Sequence, residues 1–295
     1  MQKKEKIELN NTIITHPDKL MFPQDDILKI DLVQYYALIS EKILPYLEKR
    51  PEMIIRCPNG IAQGCFVQKN ITHKLEGIHE FKYPRKHEPG KHTTFYIDNL
   101  PGLLNLINFG VIEIHAWNCR YPALKKPDQI IFDLDPDVGK TWKDVVDAAF
   151  LLKKQLEVWD VASWVKLTGG KGVHIIIPLK TQYTWDESYA WAKQVAQFFA
   201  DKFPEKFTAT MSKIKRENKI FIDYLRNSEG ATAIAPYACR ARPHAPIALP
   251  ISWTALKKIP AANHFNLRNI KNYLSKHKKD PWSDFLSSAQ KLPRI

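Results

Sequence analysis

The stretch IIFDLDP, residues 130–136, is the strongest indication of fold in this sequence. Its consecutive apolar residues indicate a strand from Gln129 to Leu134 that is buried on both faces. Because side chains alternate along a strand, Asp133 and Asp135 should lie on the same face. Two adjacent carboxylates repel each other, and the usual remedy is a divalent cation. The stretch therefore predicts a metal site, with a pair of ordinary strand-end turn residues as the alternative.

Helices and strands alternate on both sides of this strand. The expected elements, in chain order, are a helix capped by Asp31 that runs to Leu47, strands at 53–56, 65–68 and 93–97, a helix at 101–108, a strand at 111–117, a helix capped by Thr141, strands at 164–167 and 173–177, a helix at 186–203, strands at 220–225 and 232–235, and a helix at 267–276. No Pro-, Gly- or Ser-rich linker divides the chain. We therefore expect a mixed α/β (α+β) fold with central β-sheets flanked by helices, as a single catalytic domain with sub-lobes.

A glycine-rich stretch, TGGKGVH at residues 168–174, lies between two of the expected strands. Glycines let the backbone approach a phosphate closely, and Lys171 with free amides would supply positive charge. The stretch is not a Walker A loop, because GxxxxGK[ST] is absent and a strand follows. His174 opens that strand and could reach the same anion. The alternative is a hairpin turn followed by an ordinary strand histidine.

A third carboxylate, Asp223, interrupts the apolar strand of KIFIDYLRN, residues 219–227. If its face is buried, the carboxylate needs a cation or hydrogen bonds, so it could complete a metal site with the first two aspartates. The alternative is an ion pair with Arg240 or Arg242. These two arginines and Arg216 surround the strand in sequence and suit bidentate recognition of phosphate.

The charge of the chain favours a polyanionic partner. The 295 residues include 44 Lys or Arg and 31 Asp or Glu, which gives a net charge of +13 and makes nucleic acid the first candidate. Residues 256–295 are basic, and residues 69–92 are expected to form an exposed, basic, partly irregular loop. The alternative for both segments is a solvated surface.

The cysteines and the apolar runs indicate a reducing compartment and no membrane span. The four cysteines, Cys57, Cys65, Cys119 and Cys239, show no CxxC spacing, so we expect reduced thiols rather than disulfides or a zinc cluster. The N-terminal sequence MQKKEKIELNNT lacks the apolar region of a secretory signal, and no apolar run is long enough to span a bilayer.

The motifs together resemble a known family. FDLDP, TGGKGVH, FIDYLRN and TAIAPYACRAR, in this order, are similar to the polymerase domain of bacterial DNA ligase D, a member of the archaeo-eukaryotic primase superfamily. HPDKLMFP, RCPNGIAQGCFVQK and VIEIHAW extend the resemblance to the N-terminal half, from about His16 to about Trp253. The resemblance implies a primase-like core over residues 1–295, with a DNA-end-binding part at about 10–110, a metal and nucleotide core at about 111–250 and a basic C-terminal tail at about 251–295.

The resemblance also implies roles for individual residues. The metal-binding and catalytic acids would be Asp133, Asp135 and Asp223. The nucleotide-binding residues would be Arg56, His115, Thr168, Lys171, His174, Arg216, Arg240 and Arg242. Lys19 and Lys29 would hold a downstream DNA 5′-phosphate. Phe66 would stack on the template, although Val67 stands where the family has a second aromatic residue.

The implied reaction is the template-dependent addition of nucleotides to DNA 3′ ends at gaps and breaks, in non-homologous end joining. The resemblance implies two Mn²⁺ or Mg²⁺ ions, NTP preferred over dNTP, and DNA with gaps, overhangs or breaks and a 5′-phosphate as the partner. No ligase or nuclease motif is seen, so the resemblance implies either a stand-alone polymerase or an excised domain, with a separate DNA ligase and Ku as further partners. The expected location is cytoplasmic, associated with the nucleoid and not with a membrane.

Two other functions remain open on the sequence. A haloacid-dehalogenase-type phosphatase also carries DxD after an apolar strand, but its motif has Thr or Val where this chain has Asp137. A non-catalytic nucleic-acid-binding module would explain the positive charge. It would not explain three acids, since carboxylates beside phosphates weaken binding.

Overall fold

The computed structural model describes residues 6–71, 73–84, 90–212 and 216–295. The chain forms two compact units that interleave along the sequence. Unit 1 comprises residues 1–117, 232–248 and 265–276, and unit 2 comprises residues 118–231, 249–264 and 277–295. The three parts that the resemblance implied (about 10–110, 111–250 and 251–295) are contiguous in sequence, so their bounds differ from those of the two units. Among the described residues, no helix is both long and apolar enough to cross a membrane.

The strands and helices follow the alternation that the sequence predicts. The strands are β1 (Lys6–Leu9), β2 (Thr12–Thr15), β3 (Leu20–Phe22), β4 (Ile27–Leu28), β5 (Glu52–Arg56), β6 (Phe66–Gln68), β7 (Ile78–Pro84), β8 (Lys91–Ile97), β9 (Val111–Trp117), β10 (Gln129–Pro136), β11 (Trp164–Leu167), β12 (Val173–Pro178), β13 (Phe207–Thr208), β14 (Ile220–Asp223), β15 (Thr232–Ile234) and β16 (Pro250–Ile251). The α-helices are α1 (Lys29–Leu38), α2 (Ser40–Leu47), α3 (Leu100–Asn108), α4 (Trp142–Val158), α5 (Trp185–Lys202), α6 (Trp253–Leu256) and α7 (Ile270–Lys276).

Unit 2 is built on a six-stranded sheet in the order β13-β14-β10-β12-β11-β16. β10 lies inside this sheet, and both of its neighbours, β12 and β14, run antiparallel to it. Ile130, Ile131 and Phe132 are all buried, which confirms burial on both faces. Helices α4 and α5 pack against β10, and Thr141 caps α4 through the amide of Asp144, as the sequence predicts.

Unit 1 is built on a four-stranded antiparallel sheet in the order β15-β9-β5-β6. β9 is an inner strand, so its backbone is hydrogen-bonded to β5 on one side and to β15 on the other. Helices α1 and α3 pack against each other, and three hairpins (β1-β2, β3-β4 and β7-β8) complete the unit. β6 is the edge strand, which leaves one side of it open.

The single helix expected from Asp31 to Leu47 is wrong in two details. The helical segment is divided into α1 and α2 at Ile39, whose φ of −99° and ψ of 8° interrupt the regular geometry. Asp31 is not the N-cap residue but lies in the first turn of α1, where its carboxylate accepts a hydrogen bond from the amide of Leu28 at 2.8 Å. The apolar stripe continues from α1 into α2, so the sequence pattern gives no sign of the break between the two helices.

The exposed, basic, partly irregular loop expected at residues 69–92 is wrong for residues 78–84 and 91–92, which are strands. β7 and β8 form a regular antiparallel hairpin there, with Ile78 opposite Ile97 and Pro84 opposite Lys91. His79 on β7 stacks on Tyr96 on β8, with ring centroids 4.8 Å apart. Polar and aromatic residues thus pair across the hairpin, so the sequence lacks the apolar alternation by which a strand is usually predicted. Residue 72 and residues 85–89 lie outside the described residues.

The expectation of four reduced thiols is wrong for two of them. Cys57 and Cys65 form a disulfide, whereas Cys119 and Cys239 are free and buried. The register of β5 and β6 places Arg56 opposite Phe66, so the two cysteines are the next pair along the hairpin, with Cα atoms 4.3 Å apart. Their spacing in sequence does not reveal this pairing, because it depends on how the hairpin closes.

The segment expected as a basic tail, residues 251–295, belongs to folded structure in both units. Residues 265–276 are part of unit 1, and the rest is part of unit 2. In unit 2, Trp282 is buried and its indole Nε1 donates to the carbonyl of Val165 at 3.1 Å. Gln290 forms an isolated bridge with Leu179, so the end of the chain covers β11 and β12.

Candidate functional site

Three aspartates meet on two neighbouring strands of unit 2. Asp133 and Asp135 lie on β10, and Asp223 ends β14 directly opposite Asp133. Carboxylate oxygens of all three lie within 4.8 Å of one another, with Asp133 and Asp223 buried and Asp135 more exposed. The structure therefore brings together the three acids that the sequence selected.

Crowding and burial perturb the three carboxyl groups in different directions. Burial and the neighbouring charges of Asp133 and Asp223 raise the pKa of Asp135 to about 7. Burial also raises the pKa of Asp223. Burial alone would raise the pKa of Asp133, but its contact with His174 and the charges of Arg226 and Lys166 hold that pKa below its ordinary value. One carboxyl therefore tends to keep a proton near neutral pH unless a cation neutralises the group.

The acid group fits a divalent cation. Atom Oδ1 of Asp133 is buried and has no hydrogen-bond partner among the described residues, which is costly for a carboxylate oxygen unless a ligand satisfies it. Oxygen donors are what Mg²⁺ and Mn²⁺ prefer. Asp133, Asp135 and Asp223 are therefore the residues that could hold metal.

Arg226 is a cation at this site that the sequence argument did not select. It lies three residues after Asp223, and its guanidinium is 3.6 Å from both Asp133 and Asp223. Its position after the strand, in a 3-10 turn over Leu225–Asn227, was the available signal. The sequence alternative paired Asp223 with Arg240 or Arg242, but the arginine that lies beside it is Arg226.

The glycine-rich loop between β11 and β12 approaches β10 very closely. A Cβ atom on Gly172 would lie 2.1 Å from the carbonyl oxygen of Leu134. Within the loop, the hydroxyl of Thr168 donates to the carbonyl of Gly172 at 2.9 Å and accepts from the amide of Gly170 at 3.2 Å. Lys171 at the tip is exposed. The fold thus holds the loop beside the strand of the acids.

Replacing Gly172 by alanine should destabilise the protein by about 1–3 kcal/mol, because the loop or β10 must shift to admit the methyl group. Thermal unfolding checks this, with Lys171→Ala as the control at the neighbouring exposed position. An unchanged unfolding midpoint for Gly172→Ala would contradict the close approach.

His174 turns toward the acids. It lies opposite Asp133 in the β10–β12 pairing, and its Nε2 is 3.4 Å from an oxygen of that carboxylate. The ring is buried, and burial lowers the pKa of His174 to about 4, so it is neutral at physiological pH. A neutral ring next to a carboxylate can orient it through Nε2–H.

Arg216 lies in the turn that precedes β14, after residues 213–215, which are outside the described part of the chain. Its guanidinium stacks over the ring of Phe221, 3.8 Å from the ring centroid, and donates to the carbonyls of Thr210 and Met211. Its charge lowers the pKa of Asp135 and of Asp223 against the larger effect of burial. Arg216 is therefore electrostatically part of the acid group.

A second group of predicted residues lies in unit 1. On β9, His115 Nε2 is 2.8 Å from Oε2 of Glu113, and Arg240 Nε is 3.0 Å from the same oxygen. Glu113 was missed by the sequence argument, although its i, i+2 spacing from His115 places both on one face of the strand. Arg242 is exposed nearby in sequence.

Glu113 is ionised in this group. Burial would raise its pKa, but the hydrogen bond from His115, the charge of Arg240 and the amide of Ala241 together lower the pKa of Glu113 to about 2. The same carboxylate therefore forms an ion pair with Arg240 and a hydrogen bond with His115.

Lys19 and Lys29 line one cavity of unit 1, of about 220 Å³. Lys29 Nζ donates to the carbonyl of Thr15 at 2.7 Å, and Lys19 Nζ donates to the carbonyl of Pro58 at 2.9 Å. Burial and the charge of Lys19 lower the pKa of Lys29 to about 8. Two ammonium groups held by carbonyls around a cavity favour an anion as its ligand.

Arg56 lines this same cavity. Its guanidinium lies 3.4 Å from the centroid of the Phe109 ring, and its Nε donates to the carbonyl of Phe109 at 2.7 Å. The resemblance implied a nucleotide-binding role for Arg56, and in the structure Arg56 lies in the same cavity as Lys19 and Lys29.

Phe66 begins the edge strand β6, beside the disulfide. Its side chain is 48% exposed and that of Val67 is 57% exposed, so the edge strand presents two adjacent apolar residues to solvent. Arg56 lies 5.8 Å above the Phe66 ring. An exposed aromatic ring near cations suits base stacking.

The comparison with known families decides the assignment. A family model described as "LigD, primase-polymerase domain" matches residues 28–282. The chain belongs to this family. The resemblance drawn from the motifs is confirmed, and so is the expectation of a primase-like mixed α/β fold.

Relatives and a solved structure agree with this membership. The chain is 34% identical over 281 residues to the multifunctional non-homologous end joining protein LigD of Pseudomonas aeruginosa, covering 95% of this chain and 33% of that protein. It is 29% identical to the bifunctional LigD of Bacillus subtilis, covering 95% of this chain and 45% of that protein. The polymerase domain of Mycobacterium tuberculosis ligase D, solved in complex with DNA, superposes with a TM-score of 0.86 at 26% identity, covering 97% of this chain and 100% of that one. The chain thus spans a third to a half of these two LigD relatives.

Proposed function

We propose that this LigD primase-polymerase family member is a template-dependent nucleotidyltransferase that adds nucleotides to DNA 3′ ends at gaps and breaks during non-homologous end joining. The observation that carries the proposal is the acid group of Asp133, Asp135 and Asp223, whose oxygens lie within 4.8 Å of one another. Two carboxylates on one strand and a third on its antiparallel neighbour suit a pair of divalent cations.

The phosphatase alternative fits less well. Asp137, where that family has Thr or Val, accepts a hydrogen bond from the amide of Asn218 at 2.9 Å and is engaged in holding the turn. A non-catalytic binding module would not need three crowded acids, two of them buried.

Two divalent ions bound by the acids would polarise the α-phosphate and acidify the primer 3′-hydroxyl. His174, neutral and buried, orients Asp133. Thr168 shapes the glycine loop, and Lys171 offers an exposed ammonium group for the triphosphate. We assign Arg216, Arg240 and Arg242, with His115, to the nucleotide as well.

We propose Mn²⁺ or Mg²⁺ as the metal, since carboxylate sites accept both, and NTP as the preferred substrate over dNTP. A polar group near the 2′-hydroxyl would cause that preference, because a site built to bond a hydroxyl discriminates against its loss. His115 is the candidate for this contact.

We propose that the cavity of Lys19, Lys29 and Arg56 holds a downstream 5′-phosphate, with Phe66 stacking on the template. The three cationic side chains that line the cavity support this proposal. A terminal phosphate carries more charge than an internal diester, so it should bind such a cavity more strongly. A separate ligase and Ku are the proposed partners, and the nucleoid in the cytoplasm is the proposed place of action.

The test is a primer-extension assay on gapped DNA with NTPs and Mn²⁺, run beside a phosphatase assay on a generic phosphomonoester. Extension without phosphatase activity supports the proposal. Phosphatase activity without extension would replace it with the alternative.

Binding of the 5′-phosphate should weaken as pH rises through about 8. Lys29 has a lowered pKa of about 8, so it is an ammonium below that pH and loses its charge above it. The phosphate itself is a dianion above about pH 6, so the preference for a phosphorylated end should be largest between these values. Titrations at pH 7 and pH 9.5 check this, with Lys29→Arg as the variant that keeps its charge and its affinity. A wild-type preference that is equal at both pH values would contradict the role of Lys29.

A further inference from the structure

Glu113 occupies a position from which it contacts two proposed nucleotide-binding residues without facing solvent. Its side chain is 3% exposed, whereas those of His115 and Arg240 are 13% and 14% exposed. A ligand of this group would meet the histidine and the arginine, and the carboxylate would lie behind them. Glu113 is thus placed to act through its neighbours.

Both oxygens of the Glu113 carboxylate are used. Oε2 is shared by His115 Nε2 at 2.8 Å and by Arg240 Nε at 3.0 Å, the latter as an ion pair rather than an aligned hydrogen bond. Oε1 accepts from the amide of Ala241 at 2.8 Å, which fixes the backbone between Arg240 and Arg242. One side chain therefore joins β9 to the segment that carries both arginines.

A buried tyrosine reinforces the same junction. The hydroxyl of Tyr36 donates to the carbonyl of Ile112 and accepts from the amide of Cys239, both at 2.9 Å. Ile112 and Cys239 are the neighbours of Glu113 and Arg240. Tyr36 thus links the backbone next to Glu113 with the backbone next to Arg240, and these bonds fix the two segments relative to each other.

The charge of Glu113 dictates which nitrogen of His115 carries a proton. An ionised carboxylate only accepts hydrogen bonds, so the Nε2 that faces it must be a donor. In the neutral ring this leaves Nδ1 as the acceptor, which can receive a hydrogen bond from a hydroxyl donor such as the ribose 2′-hydroxyl. An amide in place of the carboxylate can donate to Nε2 and so permits the other tautomer.

We propose that Glu113 is the positioning residue that fixes the tautomer of His115 and the orientation of Arg240, and thereby sets the enzyme's preference for the ribose sugar. This inference rests on the proposed function for its substrate, but the contacts that carry it lie outside the acid group. The class of ligand recognised through it is a ribonucleoside triphosphate.

The test compares Glu113→Gln with Glu52→Gln. Glu52 is a matched control, because it is buried in the next strand of the same sheet and forms no hydrogen bond with Glu113, His115 or Arg240. Nitrogen-15 NMR of the histidine ring, assigned with His115→Asn, should show Nε2–H in wild type and in Glu52→Gln at a pH where the ring is neutral. Glu113→Gln should shift this signal toward the other tautomer.

Steady-state kinetics give the second readout. Glu113→Gln should raise the KM for NTP roughly tenfold and reduce the ratio of NTP to dNTP efficiency, because hydrogen bonds to charged groups contribute about that factor or more. In a His115→Ala background, adding Glu113→Gln should not change the sugar ratio further. If Glu113→Gln fails to fold by circular dichroism, Glu113→Asp keeps the charge and should retain Nε2–H.

The outcomes separate the inference from the proposed function. Absence of extension by wild type would overturn the proposed function, while the ring signal of His115 would still decide the tautomer. An unchanged ring signal together with an unchanged KM and sugar ratio in Glu113→Gln would overturn the role of Glu113.

Discussion

Replacing Asp133 by asparagine should reduce primer extension by about 10³-fold or more, because the variant removes a buried, ionised ligand from a site that requires several negative charges. The amide matches the carboxylate in size, so the packing around β10 should be retained. DNA binding without metal should be equal or slightly tighter, since a negative charge beside phosphates has been removed. Single-turnover extension and a binding titration check the two effects.

Asp137→Asn is the matched control for this experiment. Asp137 lies two residues beyond Asp135 in the same segment, but it is outside the acid group and bonds the amide of Asn218. It should keep extension within a few-fold of wild type. Robust extension by Asp133→Asn, or an equal loss in Asp137→Asn, would contradict the assignment of the acids.

The double variant Lys19→Ala, Lys29→Ala should lose the preference for gapped DNA with a downstream 5′-phosphate. Wild type should bind the phosphorylated end about 10- to 100-fold more tightly than the hydroxyl end, because each hydrogen bond to a charged group contributes about 1.5–3 kcal/mol. Both ammonium groups line the one cavity, so their removal should abolish that ratio while sparing the hydroxyl-ended control. Titrations at one fixed salt concentration measure it.

The control is Lys271→Ala, Lys276→Ala on α7, which removes the same charge from exposed positions of the same unit. It should weaken both DNA ends equally. A preference that persists in the cavity variant would place the phosphate elsewhere. Arg56→Ala should reduce the preference in part, since its guanidinium shares the cavity.

The acid group could be predicted from the sequence because local rules determine it. Alternation along β10 places Asp133 and Asp135 on one face, and an acidic residue at the end of an apolar strand is visible without a structure. That Asp223 lies opposite Asp133 depends on strand register, which the sequence leaves open. The pairing of the two strands supplies it.

The contacts that the sequence could not supply are long-range. Glu113 meets Arg240 across more than a hundred residues, and no local pattern marks that pair. The nucleotide-binding role of Arg56 came from the resemblance, and its position beside Lys19 and Lys29 in one cavity depends on contacts distant in sequence. The Cys57–Cys65 disulfide likewise depends on closure of the β5–β6 hairpin.

If this protein is a template-dependent polymerase, the templating base should determine which nucleotide it adds in single-nucleotide extension on gapped DNA. Four substrates that differ only in the templating base, each offered all four NTPs one at a time with Mn²⁺, give sixteen reactions. We expect wild type to extend the primer chiefly with the complementary nucleotide on every template, and Asp133→Asn to show no comparable extension. Extension that ignores the templating base, or NTP consumption without extension, would contradict it.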